Sequence, residues 1–144
     1  MDLQIRPAEL RDHPVLAALM LRLDFGHREY DGMELSVEQL DAIIASEHEA
    51  MIMTDKPLGF VHVSDANSPH ATASHRMYVN NLYVFPHGRR KGVGTRLMYS
   101  AFDWGREREM TSVRLHVWSK NAAASEFYAV LGFEQVGDAR EREL

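Results

Sequence analysis

The stretch Asn81-Leu-Tyr-Val-Phe-Pro-His-Gly-Arg-Arg-Lys-Gly-Val-Gly94 decides the fold of this chain. It contains the second half of an apolar, β-branched run, residues 77–85, that predicts a strand. Pro86 and Gly88 end the strand, and residues 92–104 have the pattern of a helix. A strand, turn and helix in this order present free backbone N–H groups at a helix N-terminus, where the dipole is positive and glycines allow close approach. The stretch therefore predicts a pyrophosphate-binding loop.

The loop differs from the two best-known phosphate-binding motifs. A Walker loop ends in Gly-Lys-Ser or Gly-Lys-Thr, and a dinucleotide-binding fingerprint needs a glycine where this chain has Leu97. The spacing Arg89-x-x-Gly92-x-Gly94 resembles instead the coenzyme A loop of the GNAT superfamily of N-acetyltransferases. On the loop alone, the alternative is a helix that simply begins after a glycine-rich turn.

A second block of sequence resembles the same superfamily. It runs from residue 115 to residue 133 and contains a predicted strand, Asn121, a short helix that carries Tyr128, and a terminal Gly132-Phe133. The resemblance covers residues 77–136. It implies the GNAT fold, which is a mixed α/β domain with a mostly antiparallel twisted sheet, a splay between the two middle strands, and about four flanking helices.

The resemblance implies that acetyl-CoA is the cofactor and that it is held largely by main chain. The residues concerned are Leu82, Tyr83 and Val84 for the pantetheine arm and acetyl carbonyl, and Arg89, Arg90, Lys91, Gly92, Val93, Gly94 and Thr95 for the pyrophosphate. Asn121 matches the family asparagine that contacts the cofactor arm. An asparagine at the start of a helix is equally natural as an N-cap, and both roles are compatible.

Acyl transfer from a thioester to an amine needs a held carbonyl, a deprotonated amine and a proton for the leaving thiolate. Tyr128 matches the family tyrosine that protonates the thiolate, and a phenol of pKa about 10 suits that role. The structural alternative for Tyr128 is a core aromatic beside Phe127 and Phe133.

The general base is where this chain departs from the family pattern. Many relatives carry a carboxylate on the strand before the loop, but residues 77–84 contain none. His116 is the candidate base, because a histidine of pKa near 6.5 removes protons around neutrality. The structural alternative for His116 is a strand histidine that faces solvent or the core. Glu29 or Asp24 acting through water remain alternatives for the base, as does the absence of a dedicated base.

The charge-rich segment from Asp24 to Leu35 includes Asp24, Glu29 and Tyr30, which are candidate acceptor-binding residues. A solvated loop is the alternative. The expected reaction is acetyl transfer to a primary amine of a small molecule or peptide, by direct attack in a ternary complex. The alternatives are a non-catalytic acyl-CoA sensor, an enzyme for a longer acyl chain, and a nucleotide-binding module.

Composition bounds these expectations. At 144 residues, with 45% hydrophobic and 26% charged residues, the chain fits a single soluble domain, residues 1–144. A net charge of −5 argues against nucleic-acid binding, and the basic residues Arg89, Arg90, Lys91 and Arg96 suit an anionic cofactor. The absence of cysteine excludes thiol catalysis, and no metal site is expected. No signal peptide or membrane span is recognisable, so the expected location is cytoplasmic. A homodimer formed through C-terminal strands is one option for the oligomeric state.

The other elements follow from periodicity and punctuation. Residues 3–5 predict a strand that Pro7 stops, and Asp12 predicts the cap of the next helix. Ser36 and Gln39 form a capping box for a further helix. The remaining predictions are a hairpin with strands at residues 51–54 and 58–63 in which His62 is structural, a strand at 111–118, and one or two closing strands within 133–144.

Overall fold

A computed structural model of the chain describes residues 3–18, 37–56, 58–65, 75–85, 88–89, 91–117, 122–137 and 142–143. The strands are β1 (Ile5–Pro7), β2 (Glu49–Thr54), β3 (Gly59–Ser64), β4 (Arg76–Val84) and β5 (Ser112–Arg114). The helices are α1, of which residues 13–18 are described, α2 (Val37–Ala45), α3 (Val93–Glu107) and α4 (Ala122–Val130). A 3-10 turn, Leu10–Asp12, precedes α1.

The strands form one sheet in the order β1-β2-β3-β4-β5. The first three pairings are antiparallel, and β5 is parallel to β4. The predicted hairpin is confirmed as β2 and β3, and the predicted central strand is confirmed as β4. The mixed α/β architecture with a mostly antiparallel sheet is therefore confirmed.

Strands β4 and β5 part soon after they begin to pair. Their register joins only Arg76 to Ser112, Met77 to Val113 and Tyr78 to Arg114. Strand β4 continues to Val84 with β3 on its other side. The splay that the resemblance implied is therefore present between the last two strands of the described sheet.

A bulge in β4 sets which side chains face which layer. His62 pairs with Asn81, but its neighbour Val63 pairs with Val79, so Asn80 is the additional residue. Because of this bulge, the side chains that pack with α3 are at odd positions before Asn80 and at even positions after it. They are Met77, Val79, Leu82 and Val84. Tyr83 lies on the opposite layer, with residues of α1 and α2. The two consecutive asparagines therefore mark the point where the alternation of β4 shifts by one residue.

Helix α3 packs closely on β4. Leu97, Met98 and Ala101 on its inner face have no exposed surface, and Gly105 lies against the Met77 side chain. Each large buried side chain of this kind contributes about 1.5–3 kcal/mol by leaving water. This packing fixes the start of α3 beside the end of β4.

Several expectations about the two ends of the sheet were wrong. Strand β1 includes Pro7, which an edge strand tolerates because its missing N–H faces no partner strand. Strand β5 has three residues instead of the predicted span 111–118. No closing strand is present at residues 133–137 and 142–143, and the rest of the predicted span, 133–144, lies outside the described residues, so that prediction stays open there.

The predicted helix cap Asp12 has a different role. It ends the 3-10 turn, accepts the Glu9 N–H at 2.8 Å, and accepts two hydrogen bonds from the Arg6 guanidinium at 2.8 and 2.9 Å. These bonds from Arg6 lower the pKa of Asp12 to about 2, although burial acts in the opposite direction. The pair therefore ties strand β1 to the turn that opens α1.

We expect Asp12→Asn to lower the free energy of unfolding by about 2 kcal/mol at pH 7, since a lowered carboxylate pKa stabilises the folded state above the ordinary value near 3.9. This contribution is lost as the pH falls through about 4 towards 2, so the difference between variant and wild type should narrow there. Urea unfolding at pH 7 and pH 3 measures both values.

Asp103→Asn is the matched control, because Asp103 forms an exposed pair with Arg106 and should change stability by less than about 0.5 kcal/mol. An Asp12→Asn difference that does not vary with pH would contradict the assignment.

Candidate functional site

The free edge of β4 presents backbone groups beyond the point where β5 leaves. The Phe85 N–H donates to the Leu58 carbonyl at 2.7 Å, which directs Phe85 towards β3. Because successive residues of a strand point their N–H and C=O groups to opposite sides, those of Leu82 and Val84 face away from β3. The Arg89 side chain donates to the Val84 carbonyl at 3.0 Å, which agrees with this direction. Leu82 therefore offers its N–H and C=O, and Val84 offers its N–H, to a ligand in the splay.

The N-terminus of α3 supplies a second set of donors. Gly92 is its N-cap, with φ of 76°, and among the described residues no atom beyond its two chain neighbours lies within 4 Å of the position that a Cβ would take. The Arg96 N–H makes the first helical bond, to the Gly92 carbonyl at 3.1 Å. The N–H groups of Val93, Gly94 and Thr95 consequently have no acceptor within the helix. An anion with several oxygens fits this arrangement.

Three elements meet at Gly94. A Cβ placed on Gly94 would lie 3.4 Å from Phe127 Cζ of α4 and 3.6 Å from Val84 Cγ2 of β4. The end of β4, the start of α3 and the middle of α4 are therefore adjacent. The donors at the helix and the free edge of β4 form one continuous surface.

Tyr128 follows Phe127 on α4 and is half-buried. Its ring makes edge-on contacts with Phe127, at a centroid distance of 5.2 Å, and with Phe133, at 5.6 Å. The Phe133 N–H donates to the Tyr128 carbonyl at 3.0 Å, and Gly132 ends the helix with φ of 94°, as the sequence predicted. These contacts hold the Tyr128 ring against Phe127, the residue of α4 that lies next to Gly94.

Residues 17–133 match the model of the acetyltransferase (GNAT) family. The chain belongs to the GNAT acetyltransferase family. Members of this family take the acetyl group from acetyl-CoA, so the chain is an acetyl-CoA-dependent acetyltransferase. Arg89-x-x-Gly92-x-Gly94 and the α3 N-terminus fit the pyrophosphate of that donor.

Individual relatives agree with the family. The chain is 24% identical to the uncharacterized N-acetyltransferase YhfO of Bacillus subtilis over 92% of this chain and 91% of that protein. It is 32% identical to the uncharacterized N-acetyltransferase MJ1207 of Methanocaldococcus jannaschii over 56% of this chain, and it spans about a third, 35%, of that relative.

Solved GNAT structures have the same fold. The aminoglycoside N-acetyltransferase AAC(6')-Iy in complex with CoA superposes with a TM-score of 0.78 at 18% identity, covering 99% of this chain and 95% of that one. The PaiA N-acetyltransferase of Thermoplasma acidophilum, in complex with coenzyme A, has a TM-score of 0.78 at 19% identity, covering 97% and 94%.

The basic residues of the GNAT loop have different environments. Arg89 is exposed, lies 6.0 Å from the centre of the Tyr83 ring and can turn towards an anion, and Lys91 is also exposed. Arg96 was wrongly grouped with them, because its guanidinium donates to the Leu3 carbonyl at 2.6 Å. Arg90 and the predicted cofactor residue Asn121 lie outside the described residues.

The predicted base His116 is exposed and lies two residues beyond the end of β5. The predicted position of His116 within a strand is therefore wrong, while its role stays a prediction. The predicted acceptor residues Asp24, Glu29 and Tyr30 lie outside the described residues.

Sequence reasoning missed a histidine–carboxylate pair in the sheet. His62 Nε2 lies 3.2 Å from Glu49 Oε1, and the two side chains come from the neighbouring strands β3 and β2. Burial lowers the pKa of His62, and Glu49 opposes that effect. The signal available in the sequence was an ionisable residue in each of two apolar strands, Glu49 at the start of β2 and His62 within β3, but it does not show which residues pair.

Other features of the described residues do not add to this site. A depression of about 480 Å³ lies between β1 and α3, away from the free edge of β4, and is lined by Leu3, Gln4, Ile5, Arg96, Tyr99, Ser100 and Asp103. Within the described part of the chain, no group of His, Asp and Glu has the arrangement of a metal site. None of the described helices is long and apolar enough to cross a membrane.

We expect Gly92→Val to abolish the rise in melting temperature that acetyl-CoA produces, because the side chain would project into the open space above the α3 donors. In the wild type, ATP and NAD should produce no such rise in melting temperature. Thermal unfolding with each ligand measures this. The control is Gly132→Val, since Gly132 also has positive φ and open surroundings but lies at the far end of α4.

Both variants should lose about 1–2 kcal/mol from backbone strain, so the comparison separates strain from ligand binding. An undiminished shift in Gly92→Val, or an equal shift with ATP in the wild type, would contradict the assignment of the N-terminus of α3 as the pyrophosphate site.

Proposed function

We propose that the enzyme transfers the acetyl group to a primary amine of a small molecule or peptide, by direct attack in a ternary complex. The observation that carries the proposal is the free edge of β4 beside the N-terminus of α3. Backbone N–H groups that can bind a pyrophosphate and main-chain groups that can bind an extended pantetheine arm lie together on this surface. The acceptor amine can then approach from the opposite layer of the sheet without displacing acetyl-CoA.

The chain's own residues divide the work. Bound acetyl-CoA supplies an activated acetyl group. The main-chain groups of Leu82 and Val84 hold the arm and orient the carbonyl, where fixed N–H donors stabilise developing negative charge. Tyr128 gives its phenolic proton to the departing sulfur and regains one from solvent.

The neighbours favour a cationic small molecule as acceptor. AAC(6')-Iy binds a bisubstrate analogue of CoA and acetylneamine, and a metagenomic aminoglycoside acetyltransferase binds sisomicin. The present chain carries a net charge of −5, which favours the approach of such amines. Asp24, Glu29 and Tyr30 remain the proposed acceptor-binding residues. A panel of amine acceptors, followed by release of free thiol and by product mass, tests this function.

Tyr128→Phe keeps the ring contacts and removes the proton. We expect kcat to fall by about 10²- to 10⁴-fold, as for a lost general acid, while the affinity for acetyl-CoA is unchanged. Steady-state kinetics and a binding titration measure the two quantities.

Tyr99→Phe is the control, because Tyr99 is 55% exposed on α3. It should leave kcat unchanged. Unchanged turnover in Tyr128→Phe, or reduced stability with little kinetic change, would return Tyr128 to a purely structural role.

A further inference from the structure

His62 has the geometry of an oriented proton acceptor. A carboxylate only accepts hydrogen bonds, so the 3.2 Å contact with Glu49 Oε1 requires that His62 Nε2 carry the hydrogen when the imidazole is neutral. Its other nitrogen, Nδ1, then has a free lone pair. Among the described residues, Nδ1 has no hydrogen-bond partner. A carboxylate that orients an imidazole in this way is the arrangement that general-base pairs use.

The pair lies on the layer of the sheet opposite α3. Phe60 and Tyr83 pack with residues of α1 and α2, and alternation along β3 places His62 on the same face as Phe60. Strand β4 presents Asn81 on this face, because Asn81 alternates with Tyr83. The side chain of His62 is 11% exposed and that of Glu49 is 34% exposed, so the pair remains accessible.

His62 is also close to the free edge of β4. It pairs directly with Asn81, the residue before Leu82. The Cα atoms of a hydrogen-bonded antiparallel pair lie about 5.5 Å apart and a strand rises about 3.4 Å per residue, so the Cα atoms of His62 and Leu82 are about 6.5 Å apart. A water molecule can bridge the remaining distance from the imidazole to an amine above β4.

We propose that His62, oriented by Glu49, is the general base that removes the proton from the acceptor amine, directly or through one water. As the nitrogen forms its bond to the acetyl carbon, the carbon–sulfur bond breaks and its electron pair leaves on sulfur. The amine proton passes to His62 Nδ1, and Glu49 stabilises the resulting imidazolium. A second proton reaches sulfur from Tyr128, so the products are the amide and free CoA. This inference rests on the proposed function and names a base on β3 in place of the carboxylate that β4 lacks.

The electrostatics of the described residues suit this role. Burial lowers the pKa of His62, so its imidazole is neutral and able to accept a proton at neutral pH. Glu49 on β2 is the neighbouring carboxylate that raises the pKa of His62. Strand β4 faces His62 with the amide of Asn81 and, further along, with the phenol of Tyr83.

Four further histidine and carboxylate groups near α1, α2 and the β2–β3 end are paired in the part of the chain that the structure describes, and two glutamates there are exposed. His13 of α1 pairs with Asp41 of α2 at 3.0 Å, and His48 pairs with Asp65 at 3.3 Å. Glu38 and Glu47 are exposed.

The test is the pH profile of His62→Gln, in which the amide can still donate to Glu49 but cannot accept a proton. For the wild type, the slope of log kcat/KM against pH should decrease at a pH below the ordinary histidine pKa of about 6.5, and this change of slope is the bend that reports His62. The variant should lose this bend and about 10²- to 10⁴-fold in kcat, with the acetyl-CoA thermal shift retained. The acceptor's own ammonium ionises near pH 10 and adds the same slope to both profiles.

Glu49→Gln keeps the partly exposed surface and should fold even if His62→Gln does not. We expect at least about a tenfold fall in kcat and a bend that moves to lower pH, because the carboxylate raises the pKa of His62. A purely structural role for Glu49 would not move the bend. His48→Gln is the matched control, because His48 also lies beside a carboxylate, that of Asp65 at 3.3 Å, and it should leave both kcat and the bend unchanged. His116→Asn tests the alternative base.

Retention of the bend and of kcat in His62→Gln, an unmoved bend in Glu49→Gln, or loss of the bend in His116→Asn would each overturn the proposal. Thiol release by the wild type with an amine acceptor is measured in the same assays. If the wild type releases no thiol, the proposed function itself is contradicted. If the wild type releases thiol and the His62 and Glu49 variants behave like it, only the role of the His62–Glu49 pair is contradicted.

Discussion

The rest of the structure depends on the early separation of β5 from β4. A strand in the interior of a sheet normally satisfies its backbone groups on both sides, but β4 pairs with β5 only as far as Tyr78. Leu82 and Val84 therefore direct N–H and C=O groups into the splay. Helix α3 begins close to the same point, with donors that no helical carbonyl satisfies. A ligand that combines a polar arm with a pyrophosphate fits both sets of groups.

In the proposed reaction, the bulge at Asn80 separates the side of β4 that holds acetyl-CoA from the side that faces the acceptor. It keeps apolar side chains of β4 against α3, where they support the donor side, and it places Asn81 and Tyr83 on the layer of α1 and α2. The His62–Glu49 pair lies on that second layer. Strand β4 can thus hold acetyl-CoA by the backbone groups of its edge, while one of its side-chain faces remains for the acceptor.

Much of this arrangement could be predicted because it depends on local signals. The turn glycines and apolar periodicity located β4, α3, the β2–β3 hairpin and the end of α4 at Gly132. What failed depends on contacts between distant residues. Residues 115–117 have the composition of a strand, but they pair with none of the described strands, since β5 leaves β4 after Arg114. Likewise, Arg96 bonds to Leu3, 93 positions away, and the pairing of His62 with Glu49 depends on strand register.

Residue-resolved amide exchange of β4, with and without acetyl-CoA, tests the central claim most directly. If the free edge holds the donor, the Leu82 and Val84 amides should exchange faster than those of Tyr83 and Phe85 in the free protein, because only the latter pair with β3. Acetyl-CoA should then slow Leu82 and Val84 selectively. Equal protection of all four amides in the free protein, or no selective slowing by acetyl-CoA, would contradict the account.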